Sequence, residues 1–245
     1  IEGFAVNYFQ QIAAAVMSER FDDLLHQANP PFIYAEAYDS DNFMIAKTKG
    51  AWTAAALVKE GELDAAMNTL VNETQRVKQF GFTASEYERA RINVLKQYES
   101  AFNERENQKN GTYVREYVNH FTEGGYIPGI EMEYALVNQV AEQITVEQVN
   151  QYVQQMIGDR NIVIGLTGPD KADLRYPTEA ELLQAFEAAR QLPVEPYKET
   201  LSNEPLVPNL PTPGKIIETQ QGDRFEATVM TLSNGVKVVL KPTTF

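Results

Sequence analysis

At 245 residues, 43% hydrophobic and 22% charged, the chain can bury a substantial core and does not have the composition of a disordered sequence. Its 34 acidic against 21 basic residues leave a formal charge of -13, which repels phosphate backbones and anionic lipid and argues against nucleic acid or a membrane as partner. Cysteine is absent, which excludes disulfides, thiolate nucleophiles and Cys-based zinc sites, and no apolar run reaches the ~18 residues of a membrane-spanning helix.

In chain order, residues 5–25 have a helical period with Phe9, Ile12, Val16 and Phe21 among the expected buried positions, and Pro30-Pro31 prevents continuation. Residues 32–38 and 43–49 then alternate as strands around the turn residues Asp39-Ser40-Asp41-Asn42, and residues 52–58 supply a third strand, giving an expected antiparallel meander. A second helix over 62–80 carries Leu63, Met67, Leu70, Thr74 and Val77 on one side, with Gly81 placed to end it in a left-handed cap.

The most fully specified element follows, over 82–105. Tyr87, Ala90, Val94, Tyr98 and Ala101 form one apolar stripe, Thr83 and Glu86 have the spacing of a capping box, and Phe82 is placed to staple onto Tyr87. A shorter helix is expected over 113–121, then a glycine-rich loop at 123–129, and a further helix over 130–140. Thr145 and Gln148 repeat the capping device for a helix running to about residue 157, and Thr178 and Glu181 open a last helix ending near Arg190.

Between the last two helices, Ile162-Val163-Ile164-Gly165-Leu166 is a nearly unbroken apolar run that reads as a buried interior strand. Prolines at 193, 196, 205, 208, 211 and 213 mark residues 191–214 as a semi-extended linker. Beyond it, apolar runs at 227–232 and 236–240 flank Ser233-Asn234-Gly235, a strong hairpin signal. The expected organisation is a domain over 1–190, a linker over 191–214 and the opening hairpin of another unit over 215–245. The fold class is α+β, an antiparallel or mixed sheet with helices packed mainly on one face.

Chemistry is sparse. His26 and His120 are the only histidines, and the chain has no HExxH or HxxEH motif and no Cys cluster. The carboxylates Glu86, Glu88, Glu99, Glu104 and Glu106 fall on polar helix faces beside Arg89, Arg91 and Arg105, which describes a solvated, salt-bridged surface. Tyr87, Tyr98 and Phe102 read as core, and Gly124, Gly125 and Gly129 as loop punctuation, since no lysine or strand-to-helix context for phosphate accompanies them. No catalytic, cofactor-binding or metal-ligating residue is assigned within the chain.

Three stretches nonetheless carry a resemblance: Gly81-Phe82-Thr83-Ala84-Ser85-Glu86-Tyr87-Glu88-Arg89-Ala90-Arg91, Ile144-Thr145-Val146-Glu147-Gln148-Val149, and residues 161–169 ending Thr167-Gly168-Pro169. Their order and separation resemble the second domain of one half of the pitrilysin/insulinase-like zinc peptidases. The stretch 231–242, from Thr231 through Asn234-Gly235 to Pro242, is similar to the strand pair that opens each half of such a protein.

The resemblance implies a clamshell-type fold that encloses peptide substrates, with zinc held by an HxxEH motif and a distal Glu, and the motif's Glu activating water. None of those residues has a counterpart here, so the segment is expected to bind no zinc itself and to serve as a non-catalytic, chamber-forming part of a zinc endopeptidase. The alternative is a catalytically inactive family member acting as scaffold or peptide-binding subunit. Expected partners are the remaining domains of the same protein and peptide substrate, with self-association through an exposed strand edge as a further expectation. The start inside a helix and the stop just after a strand lead to the expectation of an internal segment. The expected compartment is the bacterial periplasm or cell envelope, with the cytoplasm as the alternative.

Overall fold

The computed structural model describes residues 2–40, 49–171, 174–199, 205, 207–222 and 225–244. Their contacts divide the chain into two compact units, Ile1–Lys198 and Glu199–Phe245.

The first unit is organised around its opening helix, α1 (Glu2–Leu25). Tyr8, Ile12, Ala13, Val16, Met17, Arg20 and Phe21 are all buried, too wide an arc for a surface helix, so neighbours must cover α1 on several sides. On one side lies a two-stranded antiparallel sheet, β1 (Tyr34–Ser40) and β2 (Ala51–Leu57). Ala35 and Ala37 of β1 face the core and alternate with the outward Tyr34 and Tyr38, the two-residue period of a half-covered strand. Small side chains here let α1 approach the sheet closely, while Phe21 and Phe32 meet edge to face at 5.6 Å between ring centroids.

On the other sides α1 meets α3 (Ala84–Asn103), α5 (Ile130–Gln143) and α6 (Val146–Met156). They contribute Tyr87, Ala90 and Val94, then Val137, Val140 and Ala141, then Val149 and Val153 to one continuous core. Each fully buried aliphatic or aromatic side chain in that set contributes about 1.5–3 kcal/mol relative to exposure. The helix α2 (Leu63–Phe80) packs on α6, β2 and α7 (Glu179–Arg190).

Capping explains where the helices begin. Thr83 Oγ1 accepts from the Glu86 amide at 3.2 Å while Glu86 Oε2 accepts from the Thr83 amide at 2.8 Å. Thr178 and Glu181 repeat the arrangement at 3.3 and 2.8 Å, and the Thr145 amide donates to Gln148 Oε1 at 2.9 Å. Donation from the Thr178 amide, from Arg175 and from the Thr178 hydroxyl holds the Glu181 carboxyl down to about 2.

Three expectations need correction. β1 pairs directly with β2, Tyr34 opposite Leu57 through Ser40 opposite Ala51, so the flanking strands of the expected meander are neighbours in the sheet. Most of the intermediate strand expected at 43–49 lies outside the described residues. Gly81 does close α2 at positive φ, but its φ of 71° and ψ of -159° are not the left-handed helical cap. They fall in a region open essentially to glycine alone, which turns the chain extended into Phe82.

The third correction concerns the run Ile162–Leu166. It forms no strand, and Val163 is 73% exposed. Composition suits it to a sheet, but a strand exists only with a hydrogen-bonded neighbour, and none of the described residues provides one. Asn161, with φ of 61°, turns the backbone at the run's entrance.

The second unit holds a three-stranded antiparallel sheet, β3 (Ile216–Gln221), β4 (Thr228–Leu232) and β5 (Lys237–Leu240), in the order β3-β4-β5. The hairpin around Ser233-Asn234-Gly235 is present. The Gly235 amide donates to the Leu232 carbonyl at 2.9 Å, with Gly235 at φ of 83°. The strand β3, which precedes it, lies within 215–245 but outside the two runs read there as strands.

Candidate functional site

The most elaborately built polar centre lies where α1, α2 and α3 converge. Arg20, 1% exposed, projects from the buried side of α1 toward the start of α3. Its Nε donates to Glu86 Oε1 at 2.6 Å and its Nη2 to Glu86 Oε2 at 2.9 Å, a bidentate pair, and Nη2 also reaches the Gly81 carbonyl at 3.3 Å. Glu73 of α2 stands 3.6 Å from Arg20 Nη1 and is bound in turn by Arg76. Two cations and two carboxylates therefore balance within the cluster.

An aromatic lid covers it. The Arg20 guanidinium sits 4.3 Å from the Tyr197 ring centroid and 5.4 Å from that of Phe82, and Tyr197 donates to Asp23 Oδ2 at 2.9 Å. Burial and the Asp23 contact push the Tyr197 phenol well above its usual range, so it stays protonated and holds this bond. The Arg20–Glu86 pair is satisfied within the cluster, Arg76 also donates to the Glu195 carbonyl at 2.9 Å, and Arg20 Nη1 and Glu73 Oε2 are buried with no hydrogen-bond partner, only each other at 3.6 Å.

The sequence-selected residues are scattered. His26 is exposed at the end of α1, its Nδ1 2.7 Å from the Asp22 carbonyl, and His120 is bound to the Gly125 carbonyl at the end of α4 (Asn110–Glu123). Among the described residues no group of three or more His, Cys, Asp or Glu side chains is arranged to hold a metal ion. Glu88 pairs with Arg91 at 2.7 and 2.8 Å, as a salt-bridged face requires.

Glu86 departs from that expectation: it is fully buried, because its partner Arg20 lies 66 residues upstream, beyond the reach of helix-face reasoning. Tyr87 is core and donates to the Ile144 carbonyl at 2.6 Å, Tyr98 is half-buried, and Phe102 stacks on Tyr134 at 4.9 Å. Gly124 caps α4 in the left-handed conformation and Gly129 precedes α5, the punctuation expected of them.

A surface missed by that reading is α4 itself. Tyr113, Val114, Tyr117, Val118 and Phe121 share one side and are all exposed, Phe121 to 89%. Spacings of one, three and four residues carried the signal. Glu116 is the one side chain of residues 110–122 that is not exposed, and it lies close enough to Glu133 of α5 for their charges to interact.

Burial, reinforced by the charge of Glu116, raises the Glu133 carboxyl above its usual range. A raised carboxyl favours the folded state less as pH rises, so its cost is fully present above the folded value and fades as pH falls through it. Glu133→Gln is accordingly expected to raise Tm at pH 7 by about 1–2 °C, with the gain vanishing near pH 4, as read by thermal melts at the two pH values.

With this geometry in hand, similarity to known proteins is informative. No family model matches the chain. Over 170 residues it is 28% identical to a zinc protease PQQL-like protein of Arabidopsis thaliana, a match covering 69% of this chain and 18% of that protein. Its fold matches the periplasmic protease PqqL from Escherichia coli with a TM-score of 0.61 at 15% identity, over 98% of this chain and 26% of that one. A predicted insulinase family protease from Yersinia pestis matches with a TM-score of 0.58 at 10% identity, over 76% of this chain and 39% of that one.

The chain is thus α+β, with the fold of these proteases. In sequence it resembles a zinc protease, and its fold is that of PqqL and an insulinase family protease. It spans less than half the length of each of these relatives.

Proposed function

We propose that this chain is a non-catalytic segment of a zinc-dependent endopeptidase that degrades peptides, forming part of the wall of its substrate chamber. The observation that carries the reading is the sequence relationship to a zinc protease across 69% of the chain, joined to a histidine pair unfit for that metal. His26 and His120 sit at different helix ends, each spent on a backbone carbonyl, and the chain has no HxxEH sequence. The residues present do not fit zinc, so no catalytic step is assigned to them; the metal and its ligands belong to other parts of the parent protein.

The segment's contribution is mechanical. A core centred on α1 and locked by the Arg20 cluster supplies a rigid support, while α4 and the strand edges supply surface. The other domains of the parent and peptide substrate are the partners this reading requires, and the periplasmic relative supports a periplasmic or envelope setting in a bacterium. No helix among the described residues is long and apolar enough to cross a membrane.

Elemental analysis of the purified 245-residue chain is expected to find zinc far below one equivalent, and incubation with unstructured peptides to give no chelator-sensitive cleavage. Stoichiometric zinc together with such cleavage would overturn the assignment.

A further inference from the structure

The outward face of α4 is an exposed apolar surface that the packing of the first unit leaves uncovered. At about 100° per residue, Tyr113, Tyr117, Phe121, Val114 and Val118 fall within an arc of about 140°, while Arg115, Glu116, Asn119 and Thr122 lie outside it. A helix docked on its own domain turns such an arc inward, but here the arc is exposed and, of residues 110–122, Glu116 alone is not. Tyr126, 96% exposed, extends the aromatic surface just beyond the Gly124 cap.

Two properties define what fits there. The face offers four aromatic rings, whose electron-rich faces attract Lys and Arg as well as apolar groups. It also belongs to a chain of charge -13, whose field draws cations and repels anions.

A second copy of the chain is a poor occupant. With ~200 Å² for a fully exposed aromatic side chain, the arc and Tyr126 together present roughly 700 Å², still below the ~800 Å² per partner of a stable interface. A flexible peptide needs no such area, because transient capture suffices for a substrate.

We propose that the outward face of α4, with Tyr126, is a docking surface for unfolded peptide segments that combine apolar side chains with Lys or Arg. The proposal rests on the chamber-wall reading and specifies which surface of the wall meets peptide and what chemistry that peptide carries.

The test is fluorescence anisotropy of the 245-residue chain with a dye-labelled 20-residue peptide of alternating Leu/Phe and Lys/Arg, beside an analogue with Glu in place of each basic residue. Tyr117→Ser combined with Phe121→Ser removes two exposed rings and is expected to raise the Kd for the basic peptide about tenfold or more without changing the circular dichroism. The acidic analogue is expected to bind about tenfold more weakly than the basic one. Leu210→Ser, also at a highly exposed position, is expected to change nothing.

An unchanged Kd in the double variant, or no binding of the basic peptide, overturns the proposal. So does light scattering in which the double variant dissociates a dimer while peptide affinity stays the same, which would give the face to a second copy. The chamber-wall reading fails by the separate observation of stoichiometric zinc and cleavage by the chain alone.

Discussion

Glu86→Ala is expected to lower the stability of the first unit by about 4 kcal/mol, as measured by urea unfolding at neutral pH. The substitution deletes both acceptors of Arg20 and leaves a guanidinium that is 1% exposed with only the Gly81 carbonyl and a Glu73 carboxylate 3.6 Å away. Removing one partner of a buried pair costs about 3–5 kcal/mol, because the other charge cannot return to water. The same change removes the acceptor for the Thr83 amide, a cap worth about 1 kcal/mol. Combining Glu86→Leu with Arg20→Met should recover most of the loss, since two apolar side chains of similar volume need no partner. A single-variant loss below about 1 kcal/mol would show that the cluster is solvated and not a joint.

Gly81→Ala is the second large effect expected, about 3 kcal/mol. A Cβ at this position would stand 2.5 Å from the Asn150 side-chain carbon, and the backbone is in a region that side-chain-bearing residues avoid. Asn150 has little freedom to yield. Its Oδ1 accepts from the Phe82 amide at 2.7 Å and its Nδ2 donates to the Phe82 carbonyl at 3.0 Å, taking the place of a strand neighbour for a residue that has none. A cycle with Asn150→Ala separates the two causes. If the clash dominates, the double variant is less destabilised than the sum of the singles; if backbone strain dominates, the costs add.

These two sites mark where sequence reasoning succeeds and where it ends. Thr83 and Glu86 announce a capping box because its logic is local, three residues wide, and the hydrogen bonds form as expected. That Glu86 is also the counter-ion of Arg20 depends on α1 crossing the start of α3, a tertiary fact no window of sequence contains. The hairpin at Asn234-Gly235 was legible for the same local reason.

The strand expected at Ile162–Leu166 failed for the opposite one: its apolar side chains state a preference, and the ladder that would satisfy it must come from a neighbour. On α4 the apolar spacing was readable all along. Periodicity says which residues share a side, but whether that side faces the core or water follows only from packing.

The lid over Arg20 also has a consequence for the order in which the chain is made. Arg20 and Glu86 leave the ribosome well before Tyr197, which follows Glu86 by more than a hundred residues, or roughly 5–20 s of synthesis. For that interval the ion pair has its partners but not the Tyr197 ring. Over that interval Phe82 is the one ring available to the guanidinium. The joint tightens when the segment after α7 folds back and places Tyr197 against Arg20, so the last residues of the first unit to be synthesised complete a contact begun by its first helix.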